Sequence, residues 1–289
     1  MPVVVETIAG LRSQLRQAKA RAAAEGPTRP RVALVPTMGA LHEGHMALVE
    51  RAQERAEIVV VSIFVNPLQF GASEDLDLYP RTVECDVERL RTHGVQIVFA
   101  PTLSEMYPAG DVPTKVTAGD IGNLYEGRSR RGHFDGVLTV VAKLLHVVGP
   151  DTVVFGQKDA QQVFLVKRMI SDLNFDVQVA TVPTVREDDG LALSSRNRFL
   201  DVRERIAARA LSRALEAAES AADRGTDAVL AAAQSALAGD DTVQLDYLQV
   251  VSPATFLPAG DNHHGRAIVL VAARIGDTRL IDNATIQLG

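Results

Sequence analysis

The sequence predicts an α/β protein. A doubly wound (Rossmann-like) parallel sheet forms an N-terminal domain, residues 1–184, and a smaller α+β C-terminal lid domain follows, residues 185–289. Three observations predict it. Short apolar runs alternate with helical patterns through the first two thirds of the chain, as expected of repeated strand-helix-strand units. The runs are apolar at almost every position, as in strands covered on both faces. After about Thr184 the pattern changes to two alanine-rich helices and then strands joined by tight turns.

Residues 3–5 read as a short strand and 8–24 as a helix, with Ile8, Leu11, Leu15 and Ala18 at three- and four-residue steps and Gly26-Pro27 as its stop. Residues 32–35 form the next strand. A helix beginning near Leu41 carries Met46, Leu48, Val49 and Ala52 on one face. Residues 58–65 are β-branched almost throughout and predict a central strand that stops at Asn66-Pro67. A helix over 82–92, a turn at Gly94 and a strand over 95–100 follow. The alternation continues with a helix over 137–148, a strand over 152–155, a helix over 159–173 and a strand over 177–182. In the C-terminal part, Asp201 caps one long helix over 202–222, and Gly225 separates it from a second running to about 238. Strands are expected at 244–251, 267–273 and 278–288, with Gly276-Asp277 as a turn and 258–265, holding His263 and His264, as a solvated loop.

Composition narrows the function. Hydrophobic residues make up 46% of 289 positions, enough for a substantial core. The net charge of -6 argues against a nucleic-acid surface, which needs a basic face. Aromatic content of 4% with no tryptophan leaves no stacking platform for single strands. The one cysteine, Cys85, rules out an internal disulfide and a cysteine zinc framework, and its helical context suggests a structural thiol. No apolar run approaches the ~20 residues that span a bilayer, and the N-terminus lacks the pattern of a secretion signal. A cytoplasmic protein without a membrane partner is expected.

Three polar clusters fall directly after predicted strands, where open parallel sheets bind ligands. The first is Pro36-Thr37-Met38-Gly39-Ala40-Leu41-His42-Glu43-Gly44-His45. Gly39 and Gly44 allow a tight turn and close backbone approach, and the helix that follows offers its N-terminus to an anion. His42 and His45, three apart, project from one side of the first turn and add donors. Two histidines are too few for zinc, so no metal site is assigned. The second cluster joins Asn66-Pro67-Leu68-Gln69-Phe70 with Gly156-Gln157-Lys158-Asp159-Ala160-Gln161-Gln162. Amides suit a ligand carrying both carboxylate and hydroxyls. Lys158 at a helix start can meet phosphate, Asp159 can cap the helix or accept from ribose, and Gln162 lies one turn beyond Lys158. The third is Asp188-Asp189-Gly190-Leu191-Ala192-Leu193-Ser194-Ser195-Arg196-Asn197-Arg198, read as a flexible, cationic, donor-rich loop able to close over a triphosphate.

These clusters, in this order and spacing and together with VLVAARIGDTRLIDN near the end, closely resemble the pantothenate synthetase family of pantoate–β-alanine ligases. The resemblance covers nearly the whole chain. The first motif also resembles the HIGH signature, and the serine loop the KMSKS signature, of the wider nucleotidylyltransferase and class I aminoacyl-tRNA synthetase superfamily. The resemblance implies that pantoate attacks the α-phosphate of ATP to give pantoyl adenylate and pyrophosphate. β-Alanine then displaces AMP to form the amide, with Mg²⁺ accompanying ATP.

It further implies that Met38, Gly39, Ala40, Leu41, His42, Glu43, Gly44 and His45 line the ATP site, with His45, assisted by His42, catalytic. Gly156, Gln157, Lys158 and Asp159 would serve ribose and phosphates, with Lys158 catalytic, and Val185 the adenine side. Leu193, Ser194, Ser195 and Arg196 would reach the nucleotide from the C-terminal domain. Gln69 and Gln162 would bind pantoate. A homodimer is implied on the same ground. The chain departs from the family at 157, usually Glu, and at 160, commonly aromatic. Two alternatives stand beside this reading: another adenylyltransferase of the superfamily that transfers AMP to a phosphate, and a silent nucleotide- or RNA-binding module. The glutamines argue against a phosphorylated acceptor, and the acidic balance argues against RNA. His133, after Arg130-Arg131-Gly132, is expected near the pantoate pocket, whereas His93 and His146 are expected to be structural.

Overall fold

The computed structural model describes residues 2–71, 76, 79–110, 112–239 and 241–289. Residue contacts divide the chain into two units, Met1–Gln157 with Leu165–Pro183, and Lys158–Phe164 with Thr184–Gly289.

The first unit holds a six-stranded, all-parallel sheet of β1 (Val3–Val5), β2 (Val32–Thr37), β3 (Ile58–Ile63), β4 (Ile97–Phe99), β5 (Thr152–Gly156) and β6 (Gln178–Val182). Their spatial order is β1-β4-β3-β2-β5-β6. The order reverses between β2 and β5, which pair at Ala33 with Thr152 and at Leu34 with Val153. Every residue of β3 is buried, which explains its near-continuous β-branched sequence. The helices are α1 (Ile8–Glu25), α2 (Glu43–Gln53), α3 (Val83–Thr92), α4 (Leu103–Met106), α5 (Glu126–Ser129), α6 (His133–Val148) and α7 (Ala160–Asp172), the last passing from one unit to the other. Leu11, Leu15 and Ala18 form the buried stripe of α1, capped by Thr7 Oγ1 on the Gly10 N–H. One face of the sheet packs Ala33, Val35, Val59 and Val61 against Met46, Val49 and Ala52 of α2.

The second unit contains α8 (Val202–Ala208), α9 (Ala210–Ser220), α10 (Thr226–Leu237) and an antiparallel sheet of β7 (Val243–Val251), β8 (Gly265–Ile275) and β9 (Thr278–Leu288). Small alanines let α9 and α10 pack closely, with Leu211, Leu215 and Val229 against Val269, Val271 and Leu280 of the sheet.

Several expectations are corrected. The helix expected near Leu41 begins at Glu43, because His42 is extended (φ -139°, ψ 178°) and serves as its N-cap. Gly44 is therefore helical, while the left-handed turn falls on Gly39 (φ 85°) and, unexpectedly, Ala40 (φ 50°). The strand expected over 95–100 is shortened to three residues because the Val95 N–H bonds back to Leu90 O and closes α3. The single helix expected over 202–222 breaks at Arg209. There Arg209 keeps helical dihedrals (φ -64°, ψ -13°), and its carbonyl accepts both the Arg213 N–H and the Ser212 hydroxyl. Asp201 does cap it, in a capping box with Glu204. Cys85, expected to be structural, lies exposed on α3.

Candidate active site

The first cluster leaves the carboxyl end of β2 in a turn that is tied down from behind. Thr37 Oγ1 donates to Ser62 O at 2.7 Å and accepts the Gly39 N–H at 3.2 Å. Asp86 of α3, buried to 3% exposure, accepts the Ala40 N–H at 3.0 Å and the Leu41 N–H at 2.8 Å. Thr82 Oγ1 donates to the same carboxylate, and Arg89 Nη1 donates to Leu41 O at 2.9 Å. A buried carboxylate needs such donors, and here they are the backbone of the turn itself.

At the start of α2 the two histidines form a capping box. His42 Nδ1 accepts the Gly44 N–H at 3.2 Å, His45 Nδ1 accepts the His42 N–H at 3.3 Å, and the ring centroids lie 4.1 Å apart. Because Nδ1 is the acceptor in each ring, the neutral imidazoles carry their proton on Nε2 and remain donors without a positive charge. Glu43, exposed at the first helical position, lies 3.6 Å from Arg89. The arrangement suits a polyanion: imidazole donors at a helix N-terminus, at the carboxyl end of a strand beside the sheet's switch point.

Gln69 sits in a 3-10 turn, Pro67–Gln69, after β3 and is 8% exposed. Its orientation is fixed by a buried relay. Tyr107 OH donates to Asn66 Oδ1 at 2.8 Å, and Asn66 Nδ2 donates to Gln69 Oε1 and to Gly136 O, each at 3.1 Å. The Gln69 amide nitrogen is thereby turned to Met38 Sδ at 3.0 Å, so the first cluster and Gln69 meet. Burial raises the Tyr107 hydroxyl to about 12, keeping it a donor. His133, the first residue of α6, donates from Nδ1 to Gln69 O at 2.8 Å and accepts from Arg130 Nη1 at 3.0 Å. It lies against Gln69. His93 caps α3 by contacting Arg89 O, and the His146 ring lies 4.9 Å from Phe175.

Gly156 ends β5 and Gln157–Asp159 form a 3-10 turn, with Lys158 half-buried and Asp159 exposed. Gln162 is half-buried in the first turn of α7. In the second unit Asn283 Nδ2 donates to Lys158 O at 2.8 Å. Val185 O accepts the Leu193 N–H at 2.9 Å, closing a hairpin whose tip is Gly190 (φ 88°). Ser194 accepts the Arg196 N–H and starts the 3-10 turn Ser195–Phe199.

The flexible cationic loop expected here is instead a clamped hairpin. Glu187 and Asp189 both pair with Arg205, and Asn197 donates to Glu187 Oε1 and Ala192 O. Asp189 inside the motif and Glu187 just before it supply the constraint. Arg205's hydrogen bond holds Glu187 below the usual carboxylate range. Burial works to raise Asp189, but the Leu191 N–H and Arg205 outweigh it and lower the group.

Sequence reading missed Asp86, Tyr107 and Asn283. Asp86 carried a signal, since it falls four residues before the core residue Leu90 on the inward stripe of α3. Asn283 is likewise a polar residue buried at the centre of its strand, next to the equally buried Asp282. Tyr107 carried none, being distant in sequence from Asn66.

Comparison with known proteins places this geometry. The family model described as pantoate-beta-alanine ligase matches residues 3–285. A pantothenate synthetase of Leifsonia xyli is 57% identical over 97% of this chain and 99% of its own. The crystal structure of pantothenate synthetase from Thermus thermophilus matches with TM-score 0.89 and 46% identity, covering 98% of this chain and 99% of that one. A pantoate-beta-alanine ligase from Francisella tularensis, complexed with beta-gamma ATP and beta-alanine, matches with TM-score 0.79 and 31% identity over 98% and 97%. These matches support the amide-forming reading and not the alternative of AMP transfer to a phosphate. With a family model spanning both units and a relative more than half identical along nearly all its length, the chain belongs to the pantoate-beta-alanine ligase family.

Proposed function

We propose that this chain joins pantoate to β-alanine at the expense of ATP, through a pantoyl-adenylate intermediate. The observation that best supports this is the double-histidine cap of α2 at the carboxyl end of β2, one motif away from the oriented amide of Gln69. A pantoate carboxylate is already ionised at neutral pH and needs no base. Its oxygen attacks the α-phosphorus, the bond to the bridging oxygen breaks, and pyrophosphate leaves with the electron pair. The chemistry asks for position and charge neutralisation.

His42 and His45 supply Nε2–H donors to the phosphate oxygens as charge develops on them, His45 at the reacting phosphate. Met38, Gly39, Ala40, Leu41, Glu43 and Gly44 shape the ATP site. Lys158 adds a point charge, Gly156, Gln157 and Asp159 serve phosphate and ribose, and Val185, Leu193, Ser194, Ser195 and Arg196 complete the nucleotide site. Gln69 presents its amide N–H to pantoate oxygens, joined by Gln162. The neutral amine of β-alanine then attacks the acyl carbon, AMP departs and the amide forms, with the C-terminal domain as a lid that limits hydrolysis of the adenylate.

Mg²⁺ enters as the partner of ATP. Among the described residues no three His, Cys, Asp or Glu side chains form a metal cage, and magnesium commonly takes phosphate oxygens and water. It would neutralise phosphate charge. A cytoplasmic location, expected from the sequence, and a homodimer, implied by the resemblance, complete the reading. Among the described residues, no helix is long and apolar enough to cross a membrane. The test is AMP and pyrophosphate release from ATP with Mg²⁺, pantoate and β-alanine, each omitted in turn. AMP release that requires both acceptors and accompanies the amide supports the reading, and ATP turnover indifferent to pantoate overturns it.

A further inference from the structure

The LIDN stretch of β9 has no part in the function so far, yet it puts two polar residues, Asp282 and Asn283, at 4% and 5% exposure in the middle of a core strand. By strand alternation Asp282 shares a face with Leu280 and Ile286 of the hydrophobic core, where an apolar residue would serve stability better. Its charge is met by Arg186, half-buried, and a carboxylate so placed is weak evidence of a gain in stability. Here it reaches a particular place. Arg186 donates to both Asp282 oxygens, at 2.6 and 3.1 Å, and to Gly190 O at 3.1 Å, so the pair ties β9 to the hairpin carrying Val185 and Leu193. The Asn283 N–H donates to Asp282 Oδ1 at 2.8 Å, which locks the two residues to each other. The Asn283 amide then donates to the carbonyl of Lys158, 125 residues away in sequence, at 2.8 Å. Lysine is a flexible four-carbon stem ending in a point charge, so where its ammonium can reach is set by where its backbone is held.

We propose that Asn283 is a positioning residue that anchors the backbone of Lys158 for adenylate formation, with Asp282 and Arg186 holding Asn283 and the Val185–Leu193 hairpin in one frame. This rests on the role given to Lys158 above. The effect assigned to Asn283 passes through Lys158. A displacement of about 1 Å in a catalytic group can cost on the order of 100-fold in rate.

The test is a double-mutant cycle on the full-length protein with Asn283→Ala, Lys158→Ala and the double variant. It is read as the single-turnover rate of pyrophosphate release with pantoate and as the ATP dissociation constant. Asn283→Ala should lower the rate about tenfold or more with the KM for pantoate changed less than about twofold, and should add almost nothing in the Lys158→Ala background. Should the Lys158→Ala rate fall below detection, the cycle in ATP affinity decides. Asn283→Asp, which removes the donor at constant size, should behave as Asn283→Ala. Thermal melts of each variant control for folding. Multiplicative losses, or Asn283 variants that melt like the parent and turn over within twofold of it, would overturn the anchor. Near-parental rates in Lys158→Ala would overturn the role of Lys158 itself and the anchor with it, whereas multiplicative losses leave that role standing.

Discussion

At the scale of single residues, the histidines at 42 and 45 cap α2 and, in the proposed mechanism, also donate to phosphate, and substitution separates the two roles. Asparagine is a strong N-cap but lacks the imidazole Nε2–H. His42→Asn should therefore keep the melting temperature of the parent while greatly reducing adenylate formation, measured as pyrophosphate release. His42→Ala should lose a similar amount of activity and also about 1 kcal/mol of stability from the missing cap. If His42→Asn turns over like the parent, the donor role fails and only the cap remains. Asp86 is the second test at this scale. Asp86→Asn sets an N–H against one of the two backbone N–H groups it now receives, and a buried donor left unpaired costs about 1–3 kcal/mol. Ala40, at φ 50°, depends on that clamp. Ala40→Gly, which adopts the conformation without strain, should recover part of the lost stability in the Asp86→Asn background, and denaturant unfolding would measure it.

Among elements, the hairpin from Val185 to Leu193 makes its stability sensitive to acid. Glu187 is held below its ordinary value chiefly by the hydrogen bond from Arg205. A lowered folded-state value means that the stabilisation is present above the unfolded value of about 4.3 and is lost as pH falls through the folded one. Amide exchange at Leu193, corrected for the intrinsic rate, should accelerate below about pH 4, and Arg205→Gln should weaken that pH dependence. Protection that stays unchanged well below that pH would contradict the clamp. The 3-10 turn holding Gln69 has a steric counterpart. A Cβ at Gly136 would stand 2.1 Å from Leu68 O, so Gly136→Ala should shift the turn and raise the KM for pantoate, with no comparable change for ATP. The elements themselves were largely legible, because apolar runs of β2, β3 and β5 and the stripe of α1 follow from periodicity alone. The division at Arg209 was not, since no glycine, proline or change in pattern marks it.

For the whole molecule, the parallel sheet, the antiparallel C-terminal sheet and the placing of each cluster after a strand were all readable from the alternation of patterns. Motif spacing likewise led to the family. Less accessible were the supports of the site, because they cross the chain. Asp86 reaches back 46 residues to Ala40, and Asn283 reaches 125 residues to Lys158. Such contacts follow from topology, which brings α3 behind the β2 turn and β9 beside the start of α7, and no local window contains both partners. The proposed mechanism stands or falls on pantoate being activated as its adenylate before β-alanine is needed. Exchange of labelled pyrophosphate into ATP, with pantoate and Mg²⁺ present and β-alanine absent, isolates that step. The exchange should require pantoate and be nearly lost in His45→Ala. Exchange without pantoate, or none until β-alanine is added, is incompatible with an adenylate that forms first.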